Sequence, residues 1–276
     1  MSPTVPLPIV ANHAHLMPAG SWREGDVSLL LRHLDACGIE RAVTFAPFAQ
    51  QMEGDRRRAN TWLLEQVAGE ERLIPFGCLA PAAPDAGDIL HLLTEEGVRG
   101  AKVHPSIDAY DLLDPAAMDF YGRAEEAGFV LDFHTGPHGT RLAWSDPVKF
   151  DSIAWEFPRL RMVFEHVGGR TWFETFLAIL SNHRRPAGKE TLFAGLASVL
   201  SKDTHPLWYL GIERVLDLVE MVGARSLIYG LDFPWNTAET NRRDIALIQG
   251  LDLPQEDKAN ILGGTLLSLL SQGATT

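Results

Sequence analysis

Short apolar runs rich in Val, Ile and Phe recur along the chain and are separated by longer amphipathic segments. Because these runs do not alternate with polar residues, they are typical of strands that are buried on both faces. The amphipathic segments between them supply the helices that connect parallel strands. We predict eight strands, over residues 7–10, 42–45, 74–79, 100–103, 129–133, 161–164, 191–195 and 226–229.

The amphipathic segments carry the spacing of helix faces. Over residues 27–37, apolar side chains recur at i, i+3, i+4 and i+7, and Gly38 is a suitable end for this helix. Asp114 and Pro115 match the N-cap and the first residue of another helix. A closing helix is predicted over about 254–272.

Eight strand–helix units in 276 residues match the (β/α)8 TIM barrel in number and size. A doubly wound open sheet of eight strands is the alternative. We prefer the barrel because polar residues gather at strand C-terminal ends from the first strand to the last, whereas an open sheet concentrates them at one switch point. No linker composition divides the chain, so we expect one domain over residues 1–276.

Histidines are concentrated at the ends of the predicted strands. "NHAHL" (12–16) places His13 and His15 at i and i+2, where two side chains of a strand point the same way. His134 follows strand 5, and Asp232 in "YGLDFPW" follows strand 8. Imidazole and carboxylate groups are good ligands for zinc and similar divalent ions, so these four side chains together predict a metal site. Each alone has an alternative, since a single histidine at a strand end is commonly a hydrogen-bonded structural residue.

Composition narrows the classes of function. The net charge of −12 disfavours nucleic acid and anionic membranes, which bind basic patches. The first residues lack the basic and apolar regions of a signal peptide, and no apolar run approaches the ~18 residues of a membrane span. Cys37 and Cys78 fall in different predicted elements, which favours neither a disulfide framework nor a cysteine zinc site. We expect a cytoplasmic protein with a small-molecule substrate, and a homodimer is compatible with this expectation.

Several motifs together resemble one family. The strand-end motifs "NHAHL", "GAKVHP", "LDFHTG", "FEHVGG" and "YGLDFPW" look like those of the amidohydrolase-related metal-dependent hydrolases, and they occur in the same order. The closing "NILGGTLLSLL" is similar to the C-terminal helix of that family. The resemblance implies a distorted (β/α)8 barrel and one divalent metal ion, usually zinc, with manganese, iron or nickel as alternatives. It implies the same four metal ligands, and it implies that His166 acts on substrate or on bound water.

Three positions depart from the pattern of that family. Ala11 stands where Asp is usual, Leu231 where Ser is usual, and Thr265 where Asn is usual. None of the three is a predicted metal ligand. These departures leave the predicted metal site unchanged, but they weaken the inference of any particular activity from the family.

Lys102 in "GAKVHP" has three interpretations. Binuclear members of the wider superfamily carry a carboxylated lysine on strand 4 that bridges two metals. In the mononuclear subgroup, the lysine is better interpreted as a cation for a substrate carboxylate or a developing oxyanion. The third interpretation is a buried lysine paired with an acid such as Asp132 or Glu165. His104 in the same motif either binds substrate or only hydrogen-bonds a strand-end carbonyl.

Other candidate substrate contacts come from the loops. Arg141 and Arg170 follow strands 5 and 6 and could hold a substrate anion through two hydrogen bonds. Trp235 and Phe233 could form the wall of a pocket for an apolar or aromatic substrate. Surface charge and ordinary packing are the respective alternatives.

The predicted site favours hydrolysis of an amide, lactone or ester of a small, carboxylate-bearing substrate. A metal-bound water of lowered pKa would attack the carbonyl, with Asp232 as general base and His166 bound to the water or the intermediate. The alternative is non-oxidative decarboxylation of an aromatic or unsaturated acid, with Asp232 or His166 delivering a proton to carbon. A barrel that binds a ligand without catalysis is the third hypothesis, and Ala11 and Leu231 motivate it.

Overall fold

The computed structural model describes residues 8–202 and 205–272. The prediction that residues 1–6 contain no signal peptide lies outside the described residues, as does the first residue of the predicted strand 7–10.

The described residues form nine parallel strands in a nearly closed barrel with helices between them, which confirms the predicted TIM barrel. The order of neighbours is β8-β7-β6-β5-β4-β3-β2-β1-β9. Since β9 follows β8 after the single residue Tyr229, the two ends of this order are adjacent in the chain. The strands are β1 Val10–His15, β2 Arg41–Phe45, β3 Leu73–Leu79, β4 Gly100–Val103, β5 Val130–His134, β6 Arg161–Glu165, β7 Leu192–Gly195, β8 Leu227–Ile228 and β9 Gly230–Phe233.

The first and last strands differ from the predictions. The first begins where we expected it to end, because Asn12, His13 and His15 belong to the strand rather than to a loop after it. The apolar pattern missed them because polar side chains are unusual in a strand that is buried on both faces. The last strand continues past the predicted segment 226–229 and is interrupted at Tyr229.

Local sequence explains where several helices begin and end. The side chain of Asp26 accepts a hydrogen bond from the amide of Leu29 and caps α1, and Gly38 ends α1 in the left-handed conformation, with φ of 66°. Asp114 caps α5 as predicted. The helices are α1 Val27–Cys37, α2 Arg56–Val67, α3 Ala86–Glu95, α4 Pro105–Asp108, α5 Pro115–Glu126, α6 Val148–Glu156, α7 Gly169–Asn182, α8 Ile212–Val222, α9 Ala238–Gln249, α10 Gln255–Ala259 and α11 Thr265–Ser271.

The closing helix is interrupted, which corrects the prediction of one helix over about 254–272. A π-helical segment over Asn260–Gly264 separates α10 from α11. Gly263 lies against the first described residues of the chain, and a Cβ there would come within 2.7 Å of the amide nitrogen of Val10. Close packing against β1 therefore requires glycine at this position.

Apolar side chains fill the barrel at the N-terminal end of the strands. Val10, Val130 and Ile228 pack there with Leu266 and Leu269 of α11. This helix therefore covers one end of the barrel, and the opposite end, where the strands finish, remains for a site. Among the described residues, no helix is both long and apolar enough to cross a membrane.

Candidate metal centre and pocket

A cavity of about 390 Å³ opens at the C-terminal ends of the strands, which is large enough for a small molecule. Its lining combines ionisable groups with aromatic and other apolar side chains. The lining residues are His13, His15, Met17, Trp22, Phe48, Gln50, Gln51, Lys102, His104, Ile107, His134, His138, His166, His205, Trp208, Asp232 and Trp235.

An irregularity in β1 brings polar side chains into the barrel. Pairing with β2 shifts register between Ala11 and Ala14, and His13 has a left-handed φ of 67°. Asn12 consequently reaches Asp132 and Glu165, on β5 and β6, while His13 and His15 both line the cavity. Strand alternation alone places only every second residue on one face. The irregular backbone therefore supplies one polar group more than a regular strand would.

Three further residues around the cavity share the left-handed conformation. His166 has a φ of 66°, Ser198 one of 58°, and Asp232 one of 53°. This conformation is unfavourable for residues other than glycine, costing about 1–3 kcal/mol each, and it concentrates at functional sites. His166 and Asp232 therefore lie at strand ends that the sequence pattern indicated, whereas Ser198 follows β7, where the sequence indicated no site residue.

His13, His15 and Asp232 form a compact group of donors. The Nε2 atoms of His13 and His15 are 3.2 Å apart, and Asp232 Oδ1 lies 3.6 Å from His13 Nε2. One donor atom from each side chain lies within 4.8 Å of the others, and all three residues are buried. Two imidazoles and a carboxylate at this spacing fit a divalent ion such as zinc.

His134 belongs to a neighbouring group rather than to this one. Its ring stacks on His104 with centroids 4.0 Å apart, and these two and His138 have donor atoms within 4.8 Å of one another. The ring of His134 also contacts that of His166, at 4.8 Å between centroids. The structure therefore brings three of the four predicted ligands together and places the fourth beside them.

A buried nitrogen atom without a hydrogen-bond partner supports a metal site. His134 Nε2 is buried and has no partner, whereas His13 Nδ1, also without a partner, faces Glu165 Oε1 at 3.4 Å rather than His15 and Asp232. Buried polar atoms are nearly always satisfied, so an unpartnered one calls for a missing ligand, water or ion. Burial lowers the pKa of both imidazoles, and of His15, well below the ordinary value. Neutral imidazole is the form that binds metal, so the donor set fits a divalent ion.

Asp232 is held by two side chains that the sequence did not indicate. Ser198 Oγ donates to Asp232 Oδ2 at 2.5 Å, and Asn236 Nδ2 donates to Ser198 Oγ at 3.1 Å. Burial raises the pKa of Asp232 to about 6, whereas the hydrogen bond from Ser198 lowers it. Oδ1, the oxygen nearer His13, is left available.

His166 is fixed in one tautomer. Its Nδ1 donates to the carbonyl of Ala197 at 2.7 Å, because a carbonyl can only accept. The Nε2 of a neutral His166 therefore carries a lone pair. The ring stacks on Trp208 at 4.2 Å, and Trp208 also stacks on His205 at 4.1 Å. Hydrogen bonding and stacking together fix the orientation of this imidazole.

Lys102 forms a buried ion pair. Its Nζ lies 2.8 Å from Asp132 Oδ1, and the two side chains are 1% and 0% exposed. Asn12 donates to the other oxygen of Asp132 at 2.7 Å. This is the arrangement of the third interpretation of Lys102, although the residue also contributes to the cavity lining.

His104 has the opposite tautomer to His166, because its Nδ1 accepts a hydrogen bond whereas that of His166 donates one. The backbone N–H of Ile107 donates to His104 Nδ1 at 3.3 Å, so a neutral His104 carries its proton on Nε2. Burial lowers the pKa of His104 well below the ordinary value, which favours this neutral form. His104 therefore offers a hydrogen-bond donor to the cavity, in accord with a substrate contact.

Of the other predicted substrate contacts, only Trp235 lines the cavity. Trp235 lines the cavity and its ring lies 4.9 Å from that of His15. Arg141 and Arg170 are exposed and do not line the cavity, so their positions agree with ordinary surface charge. Phe233 is buried against His33 instead, with ring centroids 5.4 Å apart.

Sequence reasoning missed several residues of the site. Trp208 and His205 follow β7, whose end carried no recognised motif, and the packing of Trp208 on His166 depends on the path of a long loop. Asn12 stands inside "NHAHL" and could have been noticed as a polar residue adjacent to the histidines. No signal in the sequence pairs Ser198 with Asp232, because the two are 34 positions apart.

Comparison with known families agrees with this geometry. The family model described as Amidohydrolase matches residues 13–266, so the chain belongs to the amidohydrolase family. Members of this family are mostly metal-dependent hydrolases or decarboxylases and typically bind a divalent metal ion. No curated protein matches the sequence.

Solved structures of the same fold span both reactions. An uncharacterised TIM-barrel protein from Bordetella bronchiseptica has a TM-score of 0.76 and 16% identity, covering 98% of this chain and 100% of its own. A dihydroxybenzoic acid decarboxylase from Polaromonas sp. JS666, with bound manganese and 2-nitroresorcinol, has a TM-score of 0.68 and 13% identity, and the match covers 98% of each chain. A probable 2-pyrone-4,6-dicarboxylic acid hydrolase from Acinetobacter baumannii with bound citric acid has a TM-score of 0.64 and 14% identity. The match covers 96% of this chain and 100% of the hydrolase.

Proposed function

We propose that this protein is a metal-dependent hydrolase with one divalent ion held by four side chains. The compact group of His13, His15 and Asp232 supports the core of this site. The unpartnered Nε2 of His134 supports that residue as the fourth ligand. Zinc is the ion that we propose first for three imidazoles and a carboxylate, with manganese, iron and nickel as alternatives. When bound, such an ion lowers the pKa of water and polarises a carbonyl oxygen.

The tautomer of His166 is the observation that carries hydrolysis. Its Nδ1–H is committed to the carbonyl of Ala197, so Nε2 can accept a proton or a hydrogen bond. Asp232 provides a second acceptor, since only its Oδ2 receives the hydrogen bond from Ser198. Two proton acceptors therefore lie beside the proposed metal ligands. This arrangement suits the removal of a proton from water, which hydrolysis requires.

The substrate that fits the cavity is small, flat and carboxylate-bearing. Trp235 and Phe48 provide aromatic surfaces on which a planar group can stack. His104 supplies an N–H donor for a substrate oxygen. The ammonium of Lys102 is already paired with Asp132, so we assign carboxylate recognition first to His104.

Decarboxylation is the second candidate, and one observation favours it. The aromatic walls suit an aromatic acid, to whose carbon Asp232 or His166 would deliver a proton. The same four ligands serve both reactions.

A product assay separates the candidates. The protein is loaded with Zn²⁺ or Mn²⁺ and offered a set of lactones, amides and esters that includes 2-pyrone-4,6-dicarboxylate, and a set of aromatic acids that includes 2,6-dihydroxybenzoate. Acid release without carbon dioxide supports hydrolysis, and carbon dioxide release supports decarboxylation. An Asp232→Asn variant is the matched control, because it keeps the volume of the side chain. Absence of turnover together with absence of metal binding would favour the non-catalytic, ligand-binding hypothesis.

A further inference from the structure

The two ring nitrogens of His13 face different groups. Nε2 faces the proposed metal site, 3.2 Å from His15 Nε2 and 3.6 Å from Asp232 Oδ1. Nδ1 lies on the other side of the ring, 3.4 Å from Glu165 Oε1 and 3.9 Å from Asp132 Oδ1. An imidazole that binds metal through Nε2 carries its proton on Nδ1, and that proton needs an acceptor.

Glu165 is the better acceptor of the two carboxylates. Both oxygens of Asp132 are engaged, one by Lys102 at 2.8 Å and the other by Asn12 at 2.7 Å. Glu165 Oε1 is nearer to His13 Nδ1, and its Oε2 has no hydrogen-bond partner. Glu165 Oε1 already accepts from Asn12 Nδ2, but a carboxylate oxygen can accept two hydrogen bonds, so Glu165 can still accept the proton of His13.

We propose that Glu165, held in place by Asn12, is a positioning residue that accepts the Nδ1 proton of His13 and thereby directs Nε2 to the metal. The inference rests on the proposed metal site and extends it to residues that touch neither metal nor substrate.

The local fold is arranged to hold Glu165 at this place. Asn12 Nδ2 donates to Glu165 Oε1 at 2.5 Å and to Asp132, so one amide links the two carboxylates. The neighbouring strand carries Gly195 beside Glu165, and any side chain there would collide with the carboxylate. The left-handed backbone of His13 lets adjacent residues, Asn12 and His13, both face the barrel interior.

Metal affinity of the metal-free protein tests the proposal without relying on turnover. Mn²⁺ is titrated into wild type and into Glu165→Gln, and free Mn²⁺ is measured by electron paramagnetic resonance. Loss of an outer carboxylate of this kind typically weakens metal binding by about 10–100-fold, and we expect a loss in that range. Asp244→Asn is the matched control, because Asp244 is also a buried carboxylate but lies on α9 outside the cavity lining.

A second measurement observes the tautomer of His13 in the wild-type protein and uses a variant only to assign the resonance. In Zn²⁺-loaded protein labelled with ¹⁵N-histidine, the resonance of His13, assigned by its loss in His13→Gln, should show the proton on Nδ1. A proton on Nε2 would overturn the proposal.

The remaining outcomes separate this inference from the proposed function. Equal affinities of wild type and Glu165→Gln, within twofold, would overturn the role of Glu165 and leave the metal site intact. Two ions in wild type and one in Glu165→Gln would make Glu165 a ligand and would also overturn it. Absence of Mn²⁺ and Zn²⁺ binding by wild type would overturn the proposed function, and this inference with it.

Discussion

Replacing Lys102 with methionine tests whether its ammonium is structural or free to bind substrate. The side chain is 1% exposed and is paired at 2.8 Å with Asp132, which is fully buried. Methionine keeps much of the length of the lysine stem but leaves Asp132 and Glu165 without their cation. Removing one partner of a buried pair typically costs about 3–5 kcal/mol, because the other charge stays buried and uncompensated.

The expected loss is large relative to ordinary substitutions. For a chain of 276 residues, an unfolding entropy of about 0.6 kcal/mol per kelvin converts 3–5 kcal/mol to a fall in Tm of about 5–9 °C. The assay is urea unfolding of metal-free protein at pH 7, followed by tryptophan fluorescence. Adding Asp132→Asn to the first substitution should recover about half of the loss or more, because the uncompensated charge is then removed.

Lys149→Met is the matched control. Lys149 forms an ion pair of nearly the same length with Asp111, 2.9 Å, but 54% of the Asp111 side chain is exposed. A pair of this kind contributes about 0–1 kcal/mol. If Lys102→Met and Lys149→Met cost the same, the reasoning about the buried pair is refuted. A rise in KM for a carboxylate substrate without loss of stability would instead make Lys102 a substrate contact.

Three further outcomes follow from the site. The pKa of Asp232 in the folded protein is about 6, above its ordinary value, so protonation of this group favours folding at low pH and this contribution is lost as pH rises through about 6. Relative to Asp232→Asn, the free energy of unfolding of metal-free wild type should fall by about 2–3 kcal/mol between pH 4 and pH 7. A difference between the two proteins that stays constant with pH in urea unfolding would contradict this. Ser198→Ala should weaken Mn²⁺ binding and raise the pKa of Asp232 further, because Asp232 Oδ2 loses its donor; unchanged affinity would show that the hydroxyl does not position the carboxylate. Arg141→Ala and Arg170→Ala should leave KM unchanged within twofold, because both arginines are exposed outside the cavity; a tenfold rise in KM for either would return it to the substrate site.

The barrel could be predicted because its strands are apolar on both faces and its histidines recur at their ends. His13, His15 and Asp232 came together as strand geometry predicts, since the C-terminal ends of barrel strands converge on one mouth. His134 was placed at the correct strand end, but its stacking on His104 depends on a rotamer that strand spacing does not determine. The sequence pattern therefore predicted where the site lies better than which histidines lie close enough together to share a metal ion.

Positions where the backbone departs from regular geometry were not predictable in this way. The left-handed conformation of His13 depends on pairing with both neighbouring strands, and a regular strand would have turned Asn12 or His13 away from the interior. The π-helical segment in the closing helix depends similarly on the contact between Gly263 and β1. Such features arise from tertiary packing, which outweighs local propensity.

The metal content of the purified protein tests the central claim most directly. Elemental analysis is performed on wild type, on a chelator-treated sample reloaded with Zn²⁺ or Mn²⁺, and on His13→Ala. We expect about one divalent ion per wild-type chain, reversible removal by chelator, and loss of bound metal in His13→Ala. A wild-type chain that holds no metal after reloading, or a His13→Ala variant with full occupancy, would contradict the proposed metal centre.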